Sequence, residues 1–78
     1  MMSALVLYVT DDCSLCDQAL ELMAAAGAPD FQSVFIDDVP ALQTTYGWRV
    51  PVVHDGHRGR ELDWPFDVAA LRAFLQPG

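Results

Sequence analysis

The sequence predicts an α/β domain of element order βαβαββα, built on a four-stranded mixed sheet with helices on both faces. Three observations predict it. An early, continuously apolar run has the pattern of a strand buried from both sides, and residues 14–26 then switch to helical periodicity. Later, an Asp-Gly step separates two short segments as a tight reversal would.

Residues 4–9, Ala4-Leu5-Val6-Leu7-Tyr8-Val9, form the expected central strand. From 14 to 26, apolar side chains at 15, 16, 19, 20, 22, 23 and 26 oppose polar Ser14, Asp17, Gln18 and Glu21, and Gly27 with Pro29 stops this amphipathic helix. Residues 31–36 are rich in aromatic and β-branched side chains and read as a second strand. Asp37-Asp38 stands where a helix cap belongs, and Pro40 suits a first helical turn. Val39, Leu42 and Tyr46 share one side of that short helix, and Gly47 ends it. Residues 50–53 and 59–62 read as antiparallel strands joined through His54-Asp55-Gly56-His57-Arg58. Residues 68–76 form the last helix, striped by Val68, Leu71 and Leu75, with Pro77-Gly78 as its stop signal. The first two strands pair in parallel through a right-handed crossover, and the hairpin adds antiparallel to the central strand. No repeat, linker or low-complexity segment interrupts the pattern, so residues 1–78 are expected to be one domain.

Eleven carboxylates face four arginines and no lysine, for a net charge of −7. That balance lacks the electrostatic footprint of a nucleic-acid or anionic-membrane binder. With 53% hydrophobic and 10% aromatic residues, the chain can build a core without the disulfide staples of small secreted domains. The run at 4–9 is too short to span a membrane, and no basic residue precedes it as in a secretory signal. A cytoplasmic location is expected, where a lasting structural disulfide is disfavoured.

The two cysteines of Cys13-Ser14-Leu15-Cys16 therefore need another reason. Each can be a core residue, a metal ligand or a redox partner of the other. They fall where the central strand gives way to the first helix, the end at which open α/β sheets present reactive groups. The first sits beside the unpaired N–H groups of a helix start, whereas the second is one turn inside, partly buried and within disulfide reach. Thiol–disulfide exchange needs this asymmetry: an exposed, ionised attacker and a sheltered sulfur that later displaces the product. Cys13 is the candidate nucleophile and Cys16 the candidate resolving cysteine.

Over nearly its whole length the chain resembles a glutaredoxin-like member of the thioredoxin-fold superfamily, close to the short bacterial glutaredoxin-like proteins. The residues that carry the resemblance are LYVTDDCSLC, Val50-Pro51 and Glu61-Leu62-Asp63-Trp64-Pro65-Phe66. The resemblance implies a monomeric thiol–disulfide oxidoreductase acting on protein or small-molecule disulfides without a cofactor. Glutathione or a thioredoxin-reductase-type donor would supply its electrons. It further implies that Pro51 is cis and that the carbonyl and N–H of Val50 are free to pair with an extended substrate, which makes both residues candidate substrate contacts. Two rivals use the same frame: a non-catalytic binding module, or a protein holding an iron–sulfur cluster through Cys13 across a dimer. Cluster-binding relatives usually carry a single motif cysteine, so the presence of Cys16 weighs against the second.

The chain departs from ordinary glutaredoxins in three places. CSLC lacks the usual proline and tyrosine, and Asp11-Asp12 replaces a basic residue before the motif. Leu62-Asp63-Trp64-Pro65-Phe66 stands in place of the Gly-Gly step and acid of glutathione-binding relatives, so weak glutathione binding is expected. Arg49, next to Val50, is a candidate anchor for a substrate carboxylate. His54 and His57 would complete the count of a Cys2His2 zinc site, but their hairpin tip belongs at the opposite sheet end. They are expected as solvent-exposed turn residues, and no metal site is expected. Trp48, Trp64 and Phe66 offer an aromatic surface, with core packing favoured for the last two.

Overall fold

The structure is a computed structural model whose described residues are 4–76, so the stop signal at Pro77-Gly78 lies outside them. Its elements run β1 (Leu5–Val9), α1 (Ser14–Ala25), β2 (Gln32–Phe35), a 3₁₀ turn (Ile36–Asp38), α2 (Pro40–Tyr46), β3 (Val52–Asp55), β4 (Arg60–Asp63) and α3 (Val68–Leu75). The sheet order is β2-β1-β3-β4. β1 pairs with β2 in parallel, from Val6 opposite Gln32 to Val9 opposite Phe35. It pairs antiparallel with β3 from Leu5 opposite Asp55 to Tyr8 opposite Val52, and β3 pairs antiparallel with β4. This is the four-stranded mixed α/β sheet that the order βαβαββα implies, and the thioredoxin-like fold that the resemblance implies.

β1 alternates as a strand must, and its two faces meet different layers. Leu5, Leu7 and Val9 point into a core built with Cys16, Ala19 and Met23 of α1, Val53 of β3, and Leu71 and Phe74 of α3. Leu7, Met23 and Leu71 are fully buried, and burying each such side chain contributes roughly 1.5–3 kcal/mol. The opposite face carries a smaller cluster of Ile36, Tyr46 and Val52, with Tyr8, Leu42 and Val50 packed against it. α2 has seven residues, too few to cover that face, and Val6 and Tyr8 remain half-buried. The apolar run at 4–9 thus overstates the burial of its second face.

Three boundaries move for local reasons. Asp37 and Asp38 do not cap α2; its first residue follows Val39, which makes no side-chain cap, and the two aspartates form the 3₁₀ turn instead. β3 begins at Val52 rather than 50, because proline offers no ladder N–H and the Val50 N–H bonds the Tyr46 carbonyl at 3.1 Å. His54 therefore lies within β3, half-buried, and is not the turn residue the hairpin pattern suggests. The turn itself forms at 56–59, where Asp55 Oδ1 accepts from the N–H of His57 at 3.0 Å and of Arg58 at 3.3 Å. Gly59 closes it at φ +63°, a left-handed conformation that excludes it from β4. No helix among the described residues is long and apolar enough to cross a membrane.

Candidate functional site

The chain leaves β1 at Thr10 and turns through Asp11 and Asp12 to reach Cys13, the N-cap of α1. Asp12 has φ +52°, a left-handed conformation that aspartate tolerates better than most residues. Asp37 holds this turn from across the sheet end: the Thr10 hydroxyl donates to its Oδ1 at 2.6 Å and the Asp11 N–H to its Oδ2 at 3.1 Å. A carboxylate is indeed needed after β2, as the Asp37-Asp38 pattern suggests, but the donors it satisfies belong to the cysteine turn.

Cys13 has extended backbone angles, φ −115° and ψ 100°, and its sulfur accepts the Cys16 N–H at 3.1 Å. The sulfur thus takes the place of the serine or aspartate oxygen of an ordinary N-cap. Cys16 is 3% exposed in the core, whereas Cys13 is half-buried and opens to solvent. The two are joined as a disulfide, with Cα atoms 5.2 Å apart. Together they form a CxxC pair whose first member is half-buried and whose second is buried.

The antiparallel register that sets Tyr8 opposite Val52 carries Pro51 and Val50 toward the same end of the sheet. The Val50-Pro51 peptide is cis, as is Trp64-Pro65. Pro51 is fully buried, and Val50 packs against both core clusters. The Val50 backbone is only partly available, because its N–H is committed to Tyr46. This corrects the expectation that both of its polar groups are free: the N–H is not. A cleft of about 360 Å³ begins at Leu15, between the cysteines in sequence, and continues along Trp48, Arg49, Val50, Asp63 and Trp64. Trp64 lies edge-on to Phe66 at 5.0 Å, and Phe66 is buried at 8% exposure. Phe66 is therefore core, while Trp64 serves both the core and the cleft wall.

Arg49 borders the cleft with its charge already engaged. Its Nη2 contacts Glu61 Oε1 at 2.9 Å and Asp63 Oδ1 at 2.8 Å, and its Nε donates to Asp63 Oδ2 at 3.1 Å. A substrate carboxylate would have to displace two resident ones, which removes the basis for Arg49 as a carboxylate anchor. The same Glu61 accepts the Tyr46 hydroxyl and meets His54 Nδ1 at 3.0 Å. Burial pushes the Glu61 carboxyl up, but the hydrogen bonds from Tyr46, Arg49 and His54 outweigh it and hold the group below its ordinary range. Burial, and then the bond to Glu61, push the Tyr46 phenol well above its usual value, so it stays a neutral donor. Tyr46 stacks on Tyr8 at 4.4 Å and lies under the Arg49 guanidinium at 5.0 Å. This network ties the end of α2, the segment before Pro51, β3 and β4 into one support for the cleft. Its members come from segments far apart in sequence, so no local pattern announces it.

His54 belongs to that network and His57 to the turn at the far end of the hairpin. Among the described residues, no three His, Cys, Asp or Glu side chains gather as a metal ion would require.

The X-ray structure of the structural genomics target protein XcR50 from X. campestris is 60% identical, with a TM-score of 0.88 over 95% of this chain and 100% of that one. Its solution structure gives 0.86 over 95% and 96%. The solution structure of protein Ne2328 from Nitrosomonas europaea is 24% identical, with a TM-score of 0.79 over 97% of this chain and 94% of that one, and shows the shared fold. No curated protein matches the chain. The family described as Glutaredoxin-like domain (DUF836) matches residues 4–76, which include the strand-to-helix turn bearing both cysteines and the cis-proline segment beside it, and the chain belongs to that family.

Proposed function

We propose that the chain is a cytoplasmic, monomeric thiol–disulfide oxidoreductase in which Cys13 is the nucleophile and Cys16 the resolving cysteine. In the reduced protein, the Cys13 thiolate attacks one sulfur of a substrate disulfide and releases the other as a thiolate, which takes up a proton. The Cys16 thiol then loses its proton and attacks Cys13. The mixed disulfide breaks, the second substrate thiol leaves, and the Cys13–Cys16 bond forms. Two electrons and two protons pass from the dithiol to the substrate. Two glutathione molecules, or the dithiol of a thioredoxin-reductase-type protein, run both steps in reverse: the first donor thiol attacks Cys13 and frees Cys16, and the second displaces the first as the donor disulfide, leaving the dithiol.

One observation carries this reading: Cys13, whose sulfur accepts the Cys16 N–H at the helix start, is only half-buried, while its partner is 3% exposed. A backbone N–H and the positive end of a helix both favour negative charge on the capping sulfur. Pro51 and Val50 lie on the same sheet end and suit a substrate backbone laid beside Cys13. The experiment is trapping. Cys16→Ser accumulates a Cys13–substrate mixed disulfide, visible by intact mass, and Cys13→Ser neither traps nor reduces. Equal trapping by the two variants would reverse or dissolve the assignment of roles.

A further inference from the structure

Resting on the oxidoreductase reading above, we propose that the cleft beside the cysteine pair selects extended protein segments with cationic residues flanking their cystine, and that Trp48 is the apolar anchor for such segments. The first support is an unsatisfied apolar surface. Trp48 is 89% exposed in the turn between α2 and β3, and Leu15, between the cysteines, is 41% exposed. Both line the same cleft as Val50 and Trp64. Trp48 belongs to neither core cluster, and most of its indole surface faces solvent. A large side chain left out of the core beside a reactive disulfide matches the aromatic anchors of peptide-binding surfaces.

The second support is the way topology sorts the charges. β1, β2 and β4 end at the cysteine end of the sheet, while β3 starts there. That end therefore gathers Asp11, Asp12, Asp17, Asp37, Asp63 and Asp67. Its one arginine, Arg49, is paired with Glu61 and Asp63. The other three arginines lie at the far end. Arg58 reaches the Phe74 carbonyl at 3.3 Å, Arg60 covers the Phe74 ring at 5.2 Å, and Arg72 borders Ala26, just past the end of α1. The cleft thus sits in uncompensated negative potential, which draws cations and repels anions such as glutathione or an acidic peptide. A largely apolar trough with an acidic surround fits an extended, basic, cystine-bearing segment.

The test uses the full chain, reduced beforehand, in single turnover. Three peptides share one apolar core and a cysteine blocked as its 2-pyridyl disulfide, and they are flanked by Lys, Gln or Glu. Cys13 displaces pyridine-2-thione from the peptide sulfur, and Cys16 then displaces the peptide thiol, so the released thione reports the rate without an added reductant. At low salt the Lys peptide should react about tenfold faster than the Glu peptide. That ratio should fall toward one at about 1 M salt. Trp48→Ala should lower the rate with every peptide, relative to the rate with small 2,2′-dipyridyl disulfide, by about fivefold. Equal rates for the Lys and Glu peptides at low salt, or an unchanged peptide-to-dipyridyl ratio in Trp48→Ala, would overturn the inference. Thione release without a Cys13–Cys16 disulfide by mass would instead overturn the oxidoreductase reading, and this inference with it.

Discussion

Glu61 is the point at which the support of the cleft can be measured. Its carboxylate accepts from Tyr46, Arg49 and His54, three groups that arrive from the end of α2, the segment before Pro51 and β3. Glu61→Leu removes all three contacts. The Tyr46 hydroxyl sits on a residue only 7% exposed, and leaving it unpaired costs about 1.5 kcal/mol. Arg49 keeps Asp63 as a partner, and the Glu61 side chain is 28% exposed, so its ion pairs are discounted for solvent to about 0.5 kcal/mol together. The sum is about 2 kcal/mol, and in a domain of this size that lowers Tm by roughly 10 °C.

Urea and thermal unfolding at neutral pH, with the disulfide intact, read this loss. Tyr46→Phe keeps the ring stack on Tyr8 and loses only the hydroxyl. The double variant should therefore be about 1 kcal/mol more stable than the two single losses predict. The sign of the pH dependence follows from Glu61 being held below its ordinary value of 4.5. Its charge-dependent contribution is full above that value and is lost as the pH falls through the lower folded value, so the gap between parent and Glu61→Leu should narrow only in acid. Additivity of the two substitutions within about 0.3 kcal/mol would refute the network as an energetic unit.

Two further substitutions address the cysteine turn and the core. Asp12→Asn removes a charge beside Cys13 while keeping a residue that tolerates φ +52°, and it should speed alkylation of the reduced protein near neutral pH by about twofold at low salt. Iodoacetamide kinetics check it, and a slower reaction would show that the aspartate does not oppose the thiolate. Met23→Ala empties a fully buried position between α1 and the sheet, and should cost about 3 kcal/mol in urea unfolding with little change in the denaturant slope. A loss under about 1 kcal/mol would mean that the core on that face closes over the gap.

Local pattern determined most of the fold and the centre of the site. The apolar run at residues 4–9, the helical stripe after Ser14 and the Asp55-Gly56 step are short-range signals, and each leads to the element it predicts within a residue or two. The cysteine pair at a strand-to-helix junction is equally local, because a CxxC spacing and an N-cap span four residues. What the tertiary structure alone decided depends on partners distant in sequence. Asp37 looks like a helix cap until the parallel pairing of β1 and β2 brings it to Thr10 and Asp11. Arg49 looks like a free cation until β4 delivers Glu61 and Asp63 to it. His54 looks like a turn residue until Pro51 and the bond from Val50 to Tyr46 push the start of β3 two residues along. A side chain's own type sets which interactions it can make. Which of them it does make is settled by register and crossover, which bring charges from opposite parts of the chain within 3 Å of one another.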